Sequence, residues 1–191
     1  NLSYLYCNSN LIESLDIQNC ANLEILYCQD NQIETLLFGE NLSSTNILCH
    51  RNKLKFSTLP AKLAGSTSDT YSPQSQVEVQ CVNGEVDLSN EFIITAQNRD
   101  FTVFRCYDIN NNQLQLGVDY FVDRGVIRFL RIPETEVYIT MVNQLFNKLT
   151  LQTNSFVVDM AGTMPEPSIL FTSNETGYIS VKENGFRRFF R

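Results

Sequence analysis

Apolar positions recur through the first third of the chain in a fixed order. Leu2, Leu5, Cys7, Ile12, Leu15 and Ile17 return as Leu23, Leu26, Cys28, Ile33, Leu36 and Phe38, each 21 residues further on. A polar position keeps the same interval, as Asn10, Asn31 and Asn52. The third copy is degraded and reads Ser44, Ile47, Cys49, Asn52, Leu54, Ser57 and Leu59. A period in which polar and apolar positions return together marks one supersecondary unit used repeatedly, each copy burying its apolar set against its neighbours. Within a copy, Leu5 and Cys7 are two apart, so a strand turns both to one side and Tyr4 and Tyr6 to the other. Leu15 and Ile17 predict a second short extended segment on the far wall. Between these segments each Asn turns the chain. Its amide is both donor and acceptor and can satisfy backbone groups left unpaired at the bend. Asn10, Asn31 and Asn52 are therefore predicted to form a buried structural ladder, with Cys7, Cys28 and Cys49 beside it as small hydrophobes carrying free thiols.

The pattern changes after residue 60. Residues 61–76 are rich in Ser, Thr and Ala, punctuated by Gly65 and Pro73. They read as a connector that caps the exposed end of the last copy. From 77 to 160 the period is two. Phe101–Tyr107 alternates, and Val118–Val122 and Val126–Leu130 flank a turn at Asp123-Arg-Gly125. Asn110–Asn112 marks another turn. Val86–Leu88, Phe92–Thr95, Glu136–Asn143 and Ser155–Asp159 bring the count to about seven short strands, which predicts an antiparallel β-sandwich of immunoglobulin-like type. There is no tryptophan, so the antibody-type Cys–Trp–Cys core is absent. Cys81 and Cys106 are either a bridge across the two sheets or free thiols. In residues 161–191, Met164–Ser168 reads as a linker. Ile169–Thr172 and Tyr178–Val181 read as strands that start a further β module, and Phe186–Arg191 is a basic, aromatic end.

The repeat resembles the leucine-rich-repeat family, in its short-repeat variety with the signature L-x-x-L-x-C/L-x-x-N-x-L. Residues 1–60 carry the resemblance. Ser44 and Ser57 depart from it, as a terminal copy would. The run Lys53–Pro60, then Tyr71–Gln74, then Val86–Ser89 is similar to the junction in bacterial cell-surface leucine-rich-repeat proteins, where a short array precedes a β-sandwich. Leu116–Tyr120 and Asn143–Leu149 resemble the sandwich part. The implied fold is mostly β: a short leucine-rich-repeat solenoid with a parallel sheet on its concave face, then the antiparallel sandwich. The resemblance implies an exported bacterial protein, secreted or at the cell surface. The chain opens at Asn1 inside a repeat, which predicts the C-terminal end of an array, with signal or anchor outside this chain. No catalytic residue carries over.

On that fold the concave face would present Tyr4, Tyr6 and Asn8, then Ile25, Tyr27 and Gln29, then Asn46, Leu48 and His50. This is an aromatic and amide patch without a carboxylate. Such chemistry suits protein or glycan partners, because Tyr buries area at low entropy cost and keeps a polar tip. The same side chains also serve simply to cover a sheet.

Charge and composition narrow the partners. Net charge is −7, so duplex nucleic acid and anionic membrane surfaces are poor partners. No apolar run approaches the roughly 18 residues of a spanning helix, so no direct membrane insertion is expected in this chain. Six cysteines would suggest a disulfide framework, but three of them sit on the repeat period. With no C-x-x-C and His50 as the only histidine, no zinc site is expected. Asp108–Asn112 matches only the first half of a calcium loop, lacking the later Gly and Glu. There is no G-x-S-x-G, H-E-x-x-H or phosphate-cradling glycine loop, and Glu134 with Glu136 has no implied cleft. The sequence thus predicts no catalysis, cofactor or metal. Three readings remain: a binding or adhesion module, a spacer or stalk that presents another domain, and an accessory region of a carbohydrate-active enzyme.

Overall fold

The computed structural model describes residues 2–39, 46–63, 68–92, 101–160, 172–173, 179–183 and 186–190. The described chain is mostly β, with both parallel and antiparallel sheets. Helix is confined to a 3-10 turn at Ala61–Leu63, one α turn (α1, Ser68–Tyr71) and a 3-10 turn at Ser89–Glu91.

Five short strands come first: β1 (Tyr4–Tyr6), β2 (Ser14–Ile17), β3 (Ile25–Tyr27), β4 (Thr35–Phe38) and β5 (Asn46–Leu48). β1, β3 and β5 form one parallel sheet, with Leu5 beside Leu26 and Leu26 beside Ile47. β2 and β4 form a second parallel pair, with Leu15 beside Leu36. Strand partners share the 21-residue offset of the sequence, so identical positions stack. Leu26, Cys28, Ile33 and Leu36 are buried, as are Ile47, Cys49 and Leu54. The equivalent Leu5, Cys7, Ile12 and Leu15 are half-buried against them.

Between the strands the backbone turns through a left-handed residue. Ser9, Asp30 and Arg51 have φ of 57°, 59° and 53°, and each precedes one asparagine. That conformation costs an ordinary residue roughly 1–2 kcal/mol, so something must hold it. The asparagine amides do. Asn31 Nδ2 donates to the carbonyls of Cys7 (2.9 Å) and Cys28 (3.1 Å), and its Oδ1 accepts from the Ile12 N–H (3.0 Å). Asn52 does the same one step along. Its Nδ2 donates to Cys28 and Cys49 (both 3.0 Å), and its Oδ1 accepts from Ile33 (2.9 Å). Among the described residues the Asn10 amide bonds only within its own turn, to the carbonyls of Cys7 and Asn8.

Residues 70–75 take a further step that the spacing does not advertise. Gln74 Nε2 donates to the carbonyls of Cys49 (3.1 Å) and Tyr71 (2.5 Å), and its Oε1 accepts from Leu54 (3.1 Å). The Cys49 and Arg51 N–H groups donate to Thr70 and Pro73, as Cys28 and Asp30 donate to Leu48 and His50. A glutamine, one methylene longer, therefore does the work of the next asparagine. Tyr71 is fully buried behind it.

The remaining strands are antiparallel: β6 (Glu85–Asp87), β7 (Thr102–Asp108), β8 (Tyr120–Asp123), β9 (Val126–Phe129), β10 (Val137–Asn143) and β11 (Thr150–Gln152). They form two three-stranded sheets, β6-β9-β8 and β11-β10-β7. Burial alternates along β10, with Val137, Ile139, Met141 and Asn143 inward. The β8–β9 hairpin turns through Arg124 (φ 48°) and Gly125 (φ 85°), the two left-handed positions of a type I′ turn. A Cβ on Gly125 would also stand 2.7 Å from the Leu88 carbonyl oxygen. β12 (Thr172–Ser173), β13 (Ile179–Glu183) and β14 (Phe186–Phe190) form a third antiparallel sheet.

The parallel and antiparallel parts share one core. Phe56 stacks on Phe146 with centroids 6.2 Å apart, and Tyr71 meets the same ring edge-on at 5.7 Å. Ser57, where the apolar pattern fails, donates its N–H (3.1 Å) and hydroxyl to the carboxylate of buried Glu91.

Some expectations shift. Ser155–Asp159 is not a strand. Phe156 makes a single bridge to Val137, and the regular pairing falls at Thr150–Gln152. Val137 pairs with Phe156 and Ile139 with Thr153, which inserts an extra residue on the later strand, a bulge. The Thr153 hydroxyl accepts from the Ile139 N–H (3.0 Å), and Asn154 caps both backbone groups of Val79. Side chains there replace ladder bonds. All six cysteines are free, so Cys81 and Cys106 are not bridged. Ser44, Gly65, the 93–95 strand segment, the 164–168 linker and strand positions 169–171 and 178 lie outside the described residues.

Removing an amide leaves backbone groups unpaired in proportion to burial. Asn52→Ala and Asn31→Ala should each lower stability by about 1–3 kcal/mol, Asn52→Ala more, since Asn52 is fully enclosed. Asn10→Ala should cost less than either. Urea unfolding midpoints test that ranking, and equal midpoints for all three variants would refute it.

Candidate functional site

The outward face of the β1-β3-β5 sheet is a grid set by register. Tyr4, Ile25 and Asn46 form one row across the strands, and Tyr6, Tyr27 and Leu48 the next. Asn8, Gln29 and His50 follow just beyond the strands, where Ser9 N–H donates to the Gln29 carbonyl and Asp30 N–H to that of His50. Leu5, Leu26 and Ile47 occupy the opposite side, so the alternation of the pleat forces the tyrosines outward. Tyr4 is 53% exposed and Tyr6 60%, large values for aromatic groups of this size.

These rings are not loose. Tyr6 packs edge-to-face on Tyr27, with centroids 5.3 Å apart and planes at 82°. Tyr4 donates its hydroxyl to Glu24 Oε2 at 3.0 Å. The hydrogen bond to Glu24, seconded by the carboxylate's charge, raises the phenol pKa above the usual tyrosine range. A carboxylate thus flanks a face expected to have none. Gln29 Oε1 is enclosed with no hydrogen-bond partner among the described residues. The His50 side chain is half-buried, and its backbone carbonyl serves Asp30 and Asn52. Exposed ion pairs, Arg51 with Asp30 (3.4 Å) and Lys53 with Glu34 (3.6 Å), lie on the turns after the strands. Such pairs contribute little to stability.

The cysteines play no part on this face. Cys28 and Cys49 are buried in the core. Burial raises the Cys28 thiol far above its ordinary pKa, with neighbouring Cys49 and Cys7 adding to it. Burial pushes Cys49 up to about 12. Cys106 on β7 is raised in the same way, offset in part by the Tyr120 hydroxyl. A thiol held neutral is neither a nucleophile nor a metal ligand. Among the described residues no three His, Cys, Asp or Glu side chains gather where a metal ion could sit. Asp108 is engaged by Asn112 and the N–H of Asn110 in its own turn, which holds its carboxyl below the usual range. No described helix is long and apolar enough to cross a membrane.

The face therefore gathers two exposed phenols, a supporting ring, amides and one flanking carboxylate. Sequence reasoning missed Glu24, Gln74 and Glu91. Glu24 immediately precedes β3, beside the residue opposite Tyr4. Gln74 follows Tyr71 at the interval by which Asn52 follows Cys49, a signal that could have found it. Nothing in the sequence marks Glu91 as buried. No protein-family model, curated protein or solved structure matches the chain.

The thiols give a direct check. In the native protein, Cys28, Cys49 and Cys106 should resist an excess of aromatic disulfide reagent that modifies all six cysteines in denaturant. Their raised pKa values also set a pH dependence. The unfolded thiols ionise near 9.0 and the folded ones only well above it. Their contribution to stability is thus complete below pH 9 and is lost as pH rises toward about 12. An unfolding midpoint that rises over that window would contradict this.

Proposed function

We propose that the chain is a binding or adhesion module of an exported bacterial surface protein. In this reading residues 1–60 are the end of a leucine-rich-repeat solenoid, and residues 77–160 an immunoglobulin-like β-sandwich docked on it through the 61–76 cap. The tyrosine face is then the concave surface, and its partners are proteins or glycans. The observation that carries the reading is the pairing of exposure with order at Tyr4 and Tyr6. Aromatic groups more than half exposed, yet fixed by Glu24 and Tyr27, are costly to leave in water. They offer contact area with little entropy left to lose on binding. A tyrosine-centred patch of this kind is where binding energy concentrates at interfaces.

A second reading, a spacer that presents another domain, is favoured by one observation. The continuous core through Phe56, Tyr71 and Phe146, with the Ser57–Glu91 bonds, suits a stiff rod. The two readings separate by experiment. The protein is tested against an array of glycans and secreted or matrix proteins, alongside Tyr6→Ala and Tyr27→Ala. The binding reading predicts at least one ligand whose affinity falls about tenfold or more in each variant, the loss expected of a central aromatic contact. Ligands bound equally well by both variants would remove the tyrosine face from the proposal. No ligand at all would leave the spacer.

A further inference from the structure

We infer that a groove on the antiparallel part, separate from the tyrosine face, is a binding site for a neutral carbohydrate. It lies on the outward side of the β11-β10-β7 sheet and has a volume of about 440 Å³. That is within the range of small-molecule sites. Its floor is built by pleat alternation. Val137, Ile139 and Met141 of β10 go inward, which sends Tyr138 outward. Tyr107 stands opposite Tyr138 in the β7–β10 register, and the rings stack at 5.5 Å with planes 15° apart. One face of Tyr138 is thus occupied by Tyr107. The ring also lines the groove, on the side toward Gln152 and Asn154. Its hydroxyl donates to Asn111 Oδ1 at 2.7 Å, which fixes the ring plane.

The rim supplies amides. Asn154 is spent on the backbone of Val79. Gln76 and Gln152 are exposed and form no side-chain hydrogen bond with any described residue, so each offers a donor pair and an acceptor to a ligand. A sugar ring presents a C–H face that suits an aromatic plane and hydroxyls that both give and accept. An amide can answer either role. Among the described residues no charged side chain lines the groove. Glu136 lies just outside and holds the Ser155 hydroxyl at 2.6 Å. A neutral lining beside a carboxylate disfavours phosphate, sulfate and uronate. The chemistry selects an uncharged, hydroxyl-rich ligand laid flat against a tyrosine.

The test is native affinity electrophoresis of the full chain in gels holding soluble xyloglucan, galactomannan or starch, with heparin as the anionic probe. The expected result is retardation by at least one neutral polysaccharide and none by heparin. Gln152→Ala and Tyr138→Ala should weaken binding about tenfold, while Tyr138→Phe, which keeps the ring, should weaken it by about threefold or less. Retardation that Tyr6→Ala abolishes and Gln152→Ala leaves intact would place the binding on the tyrosine face and overturn the inference. Gln152 is exposed, so its variant remains decisive even if Tyr138→Ala misfolds. Retardation by heparin alone, by no neutral polysaccharide, or to the same degree in Gln152→Ala as in the parent would each overturn the inference.

Discussion

Along the edge of the parallel sheet, side-chain amides satisfy the backbone groups of each bend and share carbonyls from one step to the next: the Cys28 carbonyl takes one bond from Asn31 and one from Asn52. Asn31 and Asn52 reach back to a carbonyl of the preceding turn, close one in their own turn and take an N–H from the turn before. The turn they stabilise contains a left-handed, non-glycine residue that would not persist unaided. A buried backbone group left without a partner costs as much as a lost bond. The amide is therefore what permits a sharp bend in a dry interior. The strand register, the stacking of Leu26 on Ile47 and the outward direction of the tyrosines all follow once that bend is fixed.

The same logic governs the end of the parallel part. A stack of strands has an open face wherever it stops, and Gln74 closes it by supplying the amide that a further asparagine would have supplied. Tyr71 fills the apolar space beneath. Phe146, reaching in from the loop after β10, meets both Tyr71 and Phe56, so the core passes into the antiparallel sheets without a break. Glu91 is the polar counterpart of this seam. A buried carboxylate needs donors, and the Ser57 N–H and hydroxyl provide them. Ser57, a degraded repeat position by sequence, is a contact required elsewhere in the molecule.

Legibility in the sequence followed the range of the interaction. Period alone located β1 to β5 and period two located β7 to β10, because both patterns report which side of a strand faces the core. The Asp123-Arg-Gly125 turn was visible because its chemistry is local, and Asn83-Gly84 carries an equally local turn signal, with both residues at positive φ. What escaped was non-local. Glu24 meets Tyr4 from 20 residues away, Glu91 meets Ser57 from 34, and Asn154 meets Val79 from 75. The bulge at 153–155 escaped because it breaks the period it belongs to. On the face itself, spacing identified which side chains point outward but not that Tyr6 leans on Tyr27 or that a carboxylate stands at its edge.

The proposed binding role and the carbohydrate groove both depend on sheets held rigid enough to present ordered tyrosines. In the parallel part that order traces to the Asn31, Asn52 and Gln74 amides. Amide hydrogen exchange by NMR measures it most directly, at three N–H groups outside every strand: Ile12, Ile33 and Leu54, which donate to Asn31 Oδ1, Asn52 Oδ1 and Gln74 Oε1. The account predicts that Ile33 and Leu54 exchange as slowly as Cys28, whose N–H donates to the Leu48 carbonyl, with Ile12 faster at the half-exposed first turn. Exchange of Ile33 and Leu54 at the rate of a free peptide would contradict it.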